Sequence, residues 1–241
     1  MIEVVIMQAV YKRILLKISG EVLAGAKGTG FDPATLDTIC KAIKQTREMG
    51  VQIGLVVGGG NFWRGRSSEN MDRARADHIG MLATVMNAIM LEETLKNLGV
   101  PATAQSAIPM NAVAEPFSQR EALRRLEAGE VVIFGGGTGS PFFSTDTCAA
   151  IRAAEIGAEI IFKATNVDGV YNKDPNKFTD AVKYDTLTMD EVLSNNLKVM
   201  DSAAASLCRD NKINILVFNL SDPQNIVRAV SGENIGTVVN V

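Results

Sequence analysis

The chain has 241 residues, of which 46% are hydrophobic and 21% are charged, and its formal net charge is -3. This composition is typical of a globular protein with a sizeable core and excludes a largely disordered chain. The small negative charge provides no basic field, so the composition does not favour binding to nucleic acid or to an anionic membrane.

Two residue types limit the chemistry further. The three cysteines, Cys40, Cys148 and Cys208, are widely spaced and form no CxxC pair, which favours buried thiols in a reducing cytoplasm over a disulfide framework. His78 is the only histidine, so a histidine metal site or a Ser-His-Asp triad would rest on it alone. Most hydrolase mechanisms are thereby excluded.

The chain begins with a segment that we interpret as a tail, residues 1–10, because it has neither the basic start nor the long apolar run of a signal or membrane helix. Residues 13–18, RILLKI, predict the first strand. Lys17 lies inside this apolar strand, and a charge in such surroundings requires an anionic partner. Gly20 follows the carboxyl end of the strand.

The next segments repeat the pattern of a strand that ends in glycines and a cation. The GAKGTG loop (residues 25–30) lacks the Lys-Ser or Lys-Thr ending of a Walker A loop. An Asp-Pro pair then predicts the start of a helix over residues 33–49. Residues 51–57 predict a second buried strand, which runs into the glycines at 58–60 and then into Arg64.

The middle of the chain predicts a long helix, a weak strand and a short helix. The long helix, residues 77–98, is apolar on several faces. This indicates either complete burial or a core on one side and a subunit interface on the other. Residues 101–107 predict the weak strand, and residues 118–127 predict the short amphipathic helix.

Residues 131–146, VVIFGGGTGSPFFSTD, are the most informative stretch for ligand binding. The apolar start predicts a buried strand, and the glycines let the backbone turn sharply or approach a ligand closely. Hydroxyl groups follow, then Asp146, and a helix predicted to extend to Ile156 directs backbone N–H groups back into the loop. The stretch predicts a phosphate or nucleotide site, while simple closure of a loop is the alternative when the loop is considered alone.

The last third of the chain continues the alternation of strands and helices. Residues 158–162 predict a buried strand followed by Lys163, and residues 166–175, NVDGVYNKDP, predict a turn-rich loop. The remaining predicted elements are helices at residues 188–195 and 201–210, a strand at 213–218 and a helix at 222–230.

This alternation indicates an α/β protein with a mainly parallel sheet, in which ligands bind outside the carboxyl ends of the strands. Four predicted strands end in cations or glycines, at residues 17–20, 58–64, 135–146 and 163–165. If these ends are adjacent, they bring together more positive charge than the binding of one phosphate group requires. The arrangement predicts phosphoryl transfer between two phosphorylated groups, which depends on positioning and charge neutralisation. A phosphate acceptor, with a second pKa near ~6, needs no general base at pH 7.

Six segments of the chain occur together, in this order, in one known family. They are residues 12–21 (KRILLKISGE), 57–65 (VGGGNFWRG), 77–87 (DHIGMLATVMN), 137–146 (GTGSPFFSTD), 163–175 (KATNVDGVYNKDP) and 197–204 (LKVMDSAA). Together they resemble the bacterial uridylate kinases (UMP kinases), the hexameric members of the amino acid kinase superfamily. The resemblance implies the amino acid kinase (carbamate kinase-like) fold, a three-layer αβα sandwich, in a single domain at residues 11–241. Residues 11–160 would form roughly the UMP-binding part, and residues 161–241 the ATP-binding part.

The resemblance also implies transfer of the γ-phosphoryl group of ATP to UMP in pyrimidine nucleotide biosynthesis. Mg²⁺ would accompany ATP without a direct protein ligand. The implied catalytic residues are Lys17, Lys163, Asp146, Asp201 and Arg64. The residues implied to bind ATP are Lys17, Ile18, Ser19, Gly20, Gly60, Arg64, Thr165, Tyr171 and Asp174. The residues implied to bind UMP are Gly59, Asp77, Thr138, Gly139, Ser140, Pro141, Phe142, Phe143, Ser144 and Thr145.

Particular roles follow from the same resemblance. Lys17 and Lys163 would spread the charge of the transferring group, and Asp77 would bind the ribose hydroxyls. Asp146 and Asp201 would orient the lysines or the hydrated metal, with helix capping as the alternative for both aspartates.

Regulation and assembly are also implied by the resemblance. The GAKGTG loop matches the loop near which GTP activates many relatives; its residues are Gly25, Ala26, Lys27, Gly28, Thr29 and Gly30. Glu92, Thr103 and Glu130 stand where basic residues are expected, which leaves GTP activation open, and UTP is the expected feedback inhibitor. A cytoplasmic homohexamer is the expected assembly.

Two other functions remain open from the sequence. One is another member of the same superfamily, phosphorylating a carboxylate such as aspartate or carbamate. Those relatives lack the GTGSPFFSTD loop as a pyrimidine pocket, so a panel of acceptors separates them. The other is a non-catalytic nucleotide-binding or storage protein on the same fold, for which Lys17 would be dispensable.

Overall fold

The structure, a computed structural model, describes residues 8–63, 71–175, 177–195, 197 and 199–241. Most of the tail predicted at residues 1–10 therefore lies outside the described residues, and so does Arg64. No helix within the described ranges is both long and apolar enough to cross a membrane.

Strands alternate with helices along most of the described chain. The strands of the main sheet are β1 (Arg13–Ile18), β2 (Gln52–Val57), β3 (Ala102–Ser106), β4 (Glu115–Pro116), β5 (Val131–Gly135), β6 (Ile160–Thr165), β9 (Thr186–Thr188), β10 (Asn214–Asn219) and β11 (Gly236–Asn240). Their order across the sheet is β4-β3-β5-β2-β1-β6-β10-β11-β9. All neighbours pair in parallel except β10 and β11, which are antiparallel. A separate antiparallel hairpin joins β7 (Val170–Tyr171) to β8 (Lys183–Tyr184).

Helices cover both faces of the sheet. They are α1 (Gly20–Leu23), α2 (Pro33–Glu48), α3 (Arg73–Asn97), α4 (Gln119–Glu127), α5 (Thr145–Ile156), α6 (Met189–Ser194), α7 (Ser202–Asp210) and α8 (Asn225–Val230). Side-chain oxygens begin several of them: Asp32, Ser144 and Asp201 accept hydrogen bonds from backbone N–H groups in the first turns of α2, α5 and α7. These caps satisfy donors that a helix start leaves without a partner.

Two hydrophobic cores lie on opposite faces of the sheet. One core joins the sheet to α2, α3 and α8, and the other joins it to α4, α5, α6 and α7. In β1, Ile14, Leu16 and Ile18 belong to the first core and Leu15 belongs to the second. Because side chains alternate along a strand, Lys17 points to the second face, toward α5. The predicted αβα layering with a mainly parallel sheet is therefore confirmed.

Several elements differ from the sequence-based expectation. The helix predicted from residue 77 begins at Arg73, because the Asp72 carboxylate accepts a hydrogen bond from the Arg75 N–H. The helix predicted from Asp222 begins only at Asn225, because the Asp222 side chain closes a turn with the Gln224 N–H. The sequence does not predict the short elements α1, β4, β7, β8 and β9 or the strand β11.

Candidate active site

Two lysines on adjacent strands contact the same carboxylate. Lys17 on β1 and Lys163 on β6 are register partners, so their side chains leave the sheet side by side on the same face. Asp146, in the first turn of α5, receives both: its Oδ1 lies 3.0 Å from Lys17 Nζ and its Oδ2 lies 2.6 Å from Lys163 Nζ. Lys163 Nζ also donates to the carbonyl oxygen of Val199. The anionic partner that the sequence required for Lys17 is therefore Asp146.

The charges of this cluster are mutually dependent. Burial alone would raise the pKa of Asp146, but the two ammonium groups more than offset burial and hold that pKa below its ordinary value. Burial lowers the pKa of Lys163, and Lys17 adds to the lowering while Asp146 opposes it. Asp146 is not the N-cap of α5, because Ser144 fills that position, so the helix-capping alternative does not hold for Asp146. The cluster carries one net positive charge, facing the end of the sheet where a ligand would bind.

Asp201 performs two structural tasks at once. Its Oδ1 accepts a hydrogen bond from the Ala204 N–H at 3.0 Å and so caps α7. The same carboxylate accepts hydrogen bonds from the hydroxyls of Thr147, at 3.0 Å to Oδ1, and Ser144. Helix capping is therefore confirmed for Asp201, and the side chain also ties α7 to the start of α5.

The ends of β1 and β2 meet without side chains between them. We call residues 19–20 the β1 turn and residues 58–60 the β2 turn. A Cβ atom on Gly20 would lie 2.3 Å from the Gly58 carbonyl oxygen, and one on Gly59 would lie 2.7 Å from the Gly80 carbonyl oxygen. Since real contacts of this kind are essentially never so short, glycine is required for the close approach at both positions.

The hydroxyl loop (residues 137–145) connects β5 to α5 and is held by α3. Asp77 Oδ2 accepts a hydrogen bond from the Phe142 N–H at 2.8 Å and lies 3.1 Å from Arg73 Nε. Phe142 has φ of 74°, a left-handed conformation that is unfavourable for a bulky residue. Immediately before the loop, the Gly136 N–H donates to Thr84 Oγ1 at 2.8 Å. The loop is therefore joined to α3 immediately before its first residue and again at Phe142.

A cavity of about 520 Å³ joins these features. The predicted site residues that line it are Lys17, Ser19, Gly20, Gly59, Gly60, Asp77, Thr138, Ser140, Phe142, Phe143, Ser144, Thr145 and Asp201. The cavity lining does not include Asp146, Lys163, Ile18, Gly139 or Pro141. Asp146 contacts the cavity-lining Lys17, and Lys163 contacts Asp146.

The residues expected to hold adenosine lie apart from this cavity. Thr165 ends β6, and its hydroxyl donates to the Val167 carbonyl at 2.8 Å. Tyr171 lies in the β7–β8 hairpin and donates its hydroxyl hydrogen to Asp168 Oδ1 at 2.7 Å. Asp174 follows on the exposed side of the same hairpin. The three lie at the end of β6 and in the segment that follows it, and none of them lines the 520 Å³ cavity.

The GAKGTG loop borders a second, smaller cavity of about 340 Å³ through Gly25. The first residues of the loop form a 3₁₀ turn, and Gly28 and Gly30 take left-handed conformations with φ of 72° and 69°. The Gly30 N–H donates to the Asn61 carbonyl at 3.0 Å, so this loop is joined to the residue that follows the β2 turn.

The 520 Å³ cavity is also lined by residues that the sequence did not point to. The main polar or aromatic ones are Glu21, Trp63, Arg73, Thr84 and Thr147. Arg73 lies outside the helix predicted from residue 77. The sequence could have indicated it through a helix start at the Asp72 cap, because Arg73 would then stand four residues before Asp77 on one helical face. Thr147 could not, because its partner Asp201 lies 54 residues away in the sequence. Across the ranges that the structure covers, no group of three or more His, Cys, Asp or Glu side chains is arranged to hold a metal ion.

Comparison with known proteins places this geometry in a family. The amino acid kinase family matches residues 12–219. UMP kinase from Bacillus anthracis is 39% identical, with a TM-score of 0.92 over 95% of this chain and 96% of that chain. UMP kinase from Ureaplasma parvum is 39% identical, with a TM-score of 0.91 over 95% and 99%. Uridylate kinase from Archaeoglobus fulgidus is 32% identical, with a TM-score of 0.72 over 94% and 99%. The chain is therefore a kinase that belongs to the amino acid kinase family, in its uridylate kinase group.

Proposed function

We propose that this kinase transfers the γ-phosphoryl group of ATP to UMP, giving UDP and ADP, the step that leads toward UTP and CTP. The observation that carries the proposal is the Lys17–Asp146–Lys163 cluster beside a cavity whose other wall is the hydroxyl loop. Similarity to UMP kinases along nearly the whole chain supports the choice of UMP as acceptor.

On the ATP side, the β1 turn and Gly60 would surround the phosphates with backbone N–H groups, with Ile18 just before them. Lys17 lines the cavity and would contact the transferring phosphoryl group. Lys163, on the neighbouring strand and held by Asp146, would stabilise the negative charge of the same group. Such preorganised charges lower the barrier because they need not reorganise during the reaction. Arg64 is proposed as a further cation, although it lies outside the described residues.

On the UMP side, Asp77 and the hydroxyl loop would bind the nucleotide, and Gly59 would leave room beside it. An oxygen of the UMP phosphate forms the new bond to the γ-phosphorus, while the bond from that phosphorus to the β–γ bridging oxygen breaks and ADP leaves. Because the attacking oxygen is already anionic at pH 7, the step needs no general base. This agrees with a cavity that contains no histidine among its lining residues.

Mg²⁺ fits this site as a companion of ATP. The carboxylates of Asp146 and Asp201 already accept from lysines and hydroxyls. Mg²⁺ commonly keeps several waters and binds through one or two carboxylates together with substrate phosphates. Because both carboxylates are engaged in this way, we propose that Asp146 and Asp201 would hold the hydrated ion through water, beside the phosphates of ATP. When bound, the ion neutralises phosphate charge.

Assembly and location belong to the same proposal. We propose residues 11–241 as one domain, with its UMP-binding part at roughly 11–160 and its ATP-binding part at roughly 161–241, in a cytoplasmic homohexamer. Supporting an interface, α3 exposes Ile79, Leu82 and Met86, with 37%, 43% and 46% of their surfaces accessible. These positions recur at helical spacing, so they form one apolar stripe.

Regulation is proposed only in part. UTP is the expected inhibitor, because its uridine and phosphates share the chemistry of the UMP pocket. GTP activation stays open: Thr103 donates to Glu130 at 2.8 Å and Arg125 contacts the same carboxylate at 2.8 Å. This internal pairing occupies the positions where an effector phosphate would need free cations.

A panel of acceptors tests the proposal. The purified chain is incubated with ATP, Mg²⁺ and, separately, UMP, CMP, AMP, aspartate, carbamate or N-acetylglutamate, and products are separated by chromatography. UDP and ADP are expected in equal amounts with UMP alone, with little product from the carboxylates. Product from CMP or N-acetylglutamate but not from UMP would refute the proposal. Repeating the reaction with UTP or GTP present tests the two effectors.

A variant of Lys17, compared with a control variant of Lys41, tests the role of the charge cluster. Lys17→Ala removes the cation that lines the cavity, so UDP formation should fall by the equivalent of about 2.7–4 kcal/mol, as for loss of one preorganised donor. Lys41→Ala, at an exposed position on α2, should leave the rate unchanged. Equal rates for the two variants would show that Lys17 takes no part in catalysis.

A further inference from the structure

Two buried asparagines, Asn61 and Asn87, form a reciprocal amide pair behind the active site. Asn61 Nδ2 donates to Asn87 Oδ1 at 3.0 Å, and Asn87 Nδ2 donates to Asn61 Oδ1 at 2.8 Å. Asn61 follows the β2 turn and Asn87 lies in the middle of α3, and they are 2% and 0% exposed. Neither side chain lines the 520 Å³ cavity.

The second hydrogen of each amide goes to a backbone carbonyl in a different glycine-rich loop. Asn87 Nδ2 donates to the Gly58 carbonyl at 2.6 Å, and Asn61 Nδ2 donates to the Gly30 carbonyl at 2.9 Å. Because carbonyls only accept, these contacts fix which atom of each amide is nitrogen. All four amide hydrogens are therefore used, and the pair is satisfied in only one orientation.

The pair also lies against the β1 turn. The Asn61 Oδ1 atom is 2.8 Å and the Gly58 carbonyl oxygen 2.3 Å from the position that a Cβ of Gly20 would occupy. On the other side, Asn61 accepts at its backbone carbonyl from the Gly30 N–H and from Thr29 Oγ1, both at 3.0 Å. One buried amide pair thus meets the β1 turn, the β2 turn and the GAKGTG loop.

We propose that Asn61 and Asn87 are positioning residues for phosphoryl transfer, which set the backbone of the β1 and β2 turns that receive the phosphates of ATP. The inference rests on the proposed function and extends it to residues that do not contact substrate. Glycine turns have little side-chain packing to hold them, so an external anchor must fix their N–H groups. A buried polar pair with every hydrogen bond made provides such an anchor, since any shift leaves a buried group without a partner.

Loss of the amide pair should affect ATP more than UMP. Movement of the β1 and β2 turns should weaken ATP binding and slow transfer, because misplacement by about 1 Å can cost roughly 100-fold in rate. On the UMP side, Gly59 is the one residue that belongs to these turns, and the hydroxyl loop is held instead by Asp77 and Thr84. The KM for UMP should therefore change much less than the KM for ATP.

Two variants and one control test the proposal. Asn87→Asp keeps the shape but places a carboxylate oxygen against the Gly58 carbonyl. The double variant Asn61→Leu with Asn87→Leu keeps the branched side-chain skeleton without its polar atoms. It removes the donors to the Gly58 and Gly30 carbonyls but buries no charge, so its thermal stability should exceed that of Asn87→Asp. Asn97→Asp, at the exposed end of the same helix, is the matched control and should behave as the unmodified chain.

For each protein, the thermal unfolding midpoint, the ATP dissociation constant without acceptor, and the kcat and KM values for both substrates are measured. Both variants should bind ATP roughly 10- to 100-fold more weakly, with the KM for UMP within about twofold of the unmodified chain. The double variant should stay defective although it is stable. Recovery of ATP affinity together with stability in the double variant would overturn the proposal, as would parallel rises in both KM values.

The same measurements separate this inference from the proposed function. If the unmodified chain binds ATP but does not phosphorylate UMP, the choice of acceptor is wrong, and the ATP dissociation constants still decide the role of the pair. If the unmodified chain makes UDP and the double variant binds ATP equally well, only the positioning role is wrong. Should Asn87→Asp fail to fold, the double variant decides.

Discussion

Lys17 and Lys163 hold opposite oxygens of one carboxylate from partnered positions on β1 and β6. Adjacent strands lie about 4.8 Å apart, so two ammonium groups at this register would repel each other without Asp146 between them. The carboxylate therefore keeps both cations in place, yet one net positive charge remains for an anionic ligand. This relationship combines fold and chemistry, because the register of a parallel sheet sets the spacing of the charges.

The stability contributed by Asp146 should depend on pH in a defined direction. Its pKa is held below the ordinary value of about 3.9, so its contribution is complete above that value and is lost as pH falls through the lower folded-state pKa. Asp146→Asn breaks a buried pair and should cost about 3–5 kcal/mol of unfolding free energy at pH 7. Urea unfolding of both proteins from pH 3 to 7 should show the gap narrowing toward the acid end. A difference in unfolding free energy that stays constant with pH would show that the ionised Asp146 does not contribute this stability.

Asp201 should affect both stability and rate, because it caps α7 and holds the hydroxyls of Ser144 and Thr147. Asp201→Ala should lower the unfolding free energy by about 0.5–2 kcal/mol through loss of the cap and should also lower kcat. Thr188→Ala removes the capping box of α6, and this control should lose similar stability with unchanged kinetics. Equal kinetics in the two variants would reduce Asp201 to a helix cap.

The sequence predicted an anionic partner for Lys17 and the meeting of the strand ends, because both follow from local residue patterns. A lysine inside the apolar run RILLKI required an anion, and the structure supplies Asp146 at 3.0 Å. Strand ends rich in glycine and cations predicted a common cleft, and β5, β2, β1 and β6 are indeed neighbours in the sheet. Both inferences depend on local patterns together with the general geometry of parallel sheets, which the sequence carries.

Features that depend on distant partners could not be predicted. The strand β11 consists of five residues and depends on its antiparallel pairing with β10 and its parallel pairing with the edge strand β9. The Asn61–Asn87 pair depends on the phase of α3 relative to the β2 turn, which no spacing in the sequence defines. The adenosine residues proposed from the resemblance lie beyond the cavity, so their role is still a prediction.

Asp77 should be more important for UMP than for ATP. Its carboxylate lines the cavity and holds the Phe142 N–H of the hydroxyl loop. A hydrogen bond to a charged group contributes roughly 1.5–3 kcal/mol, so Asp77→Asn should raise the KM for UMP roughly 10- to 100-fold. Asp72→Asn makes the same change at the cap of the same helix and should leave both KM values unaltered. A larger effect on ATP than on UMP would place Asp77 in the wrong subsite.

The apolar stripe on α3 should control assembly. Leu82 is 43% exposed between Ile79 and Met86, so Leu82→Glu would bury a charge if that face is an interface between subunits. Sedimentation velocity should then show smaller particles. Val182→Glu introduces the same charge at a residue that is 61% exposed and lies outside α3, and it should leave the assembly intact. Identical sedimentation of the two variants would exclude α3 as the interface.

The three cysteines should be chemically inert in the folded protein. Cys40, Cys148 and Cys208 are buried free thiols, and burial raises their pKa values to about 12, 11 and 12. Because the thiolate is the reactive species and a free cysteine has a pKa of about 8.5, labelling with a thiol reagent at pH 8 should detect no fast-reacting group. After unfolding in guanidinium chloride, three equivalents should react. Cys148→Ala should reduce that number to two without changing the native result. One fast equivalent in the native protein would contradict the prediction, and its loss in Cys148→Ala would assign it to the thiol that lines the cavity.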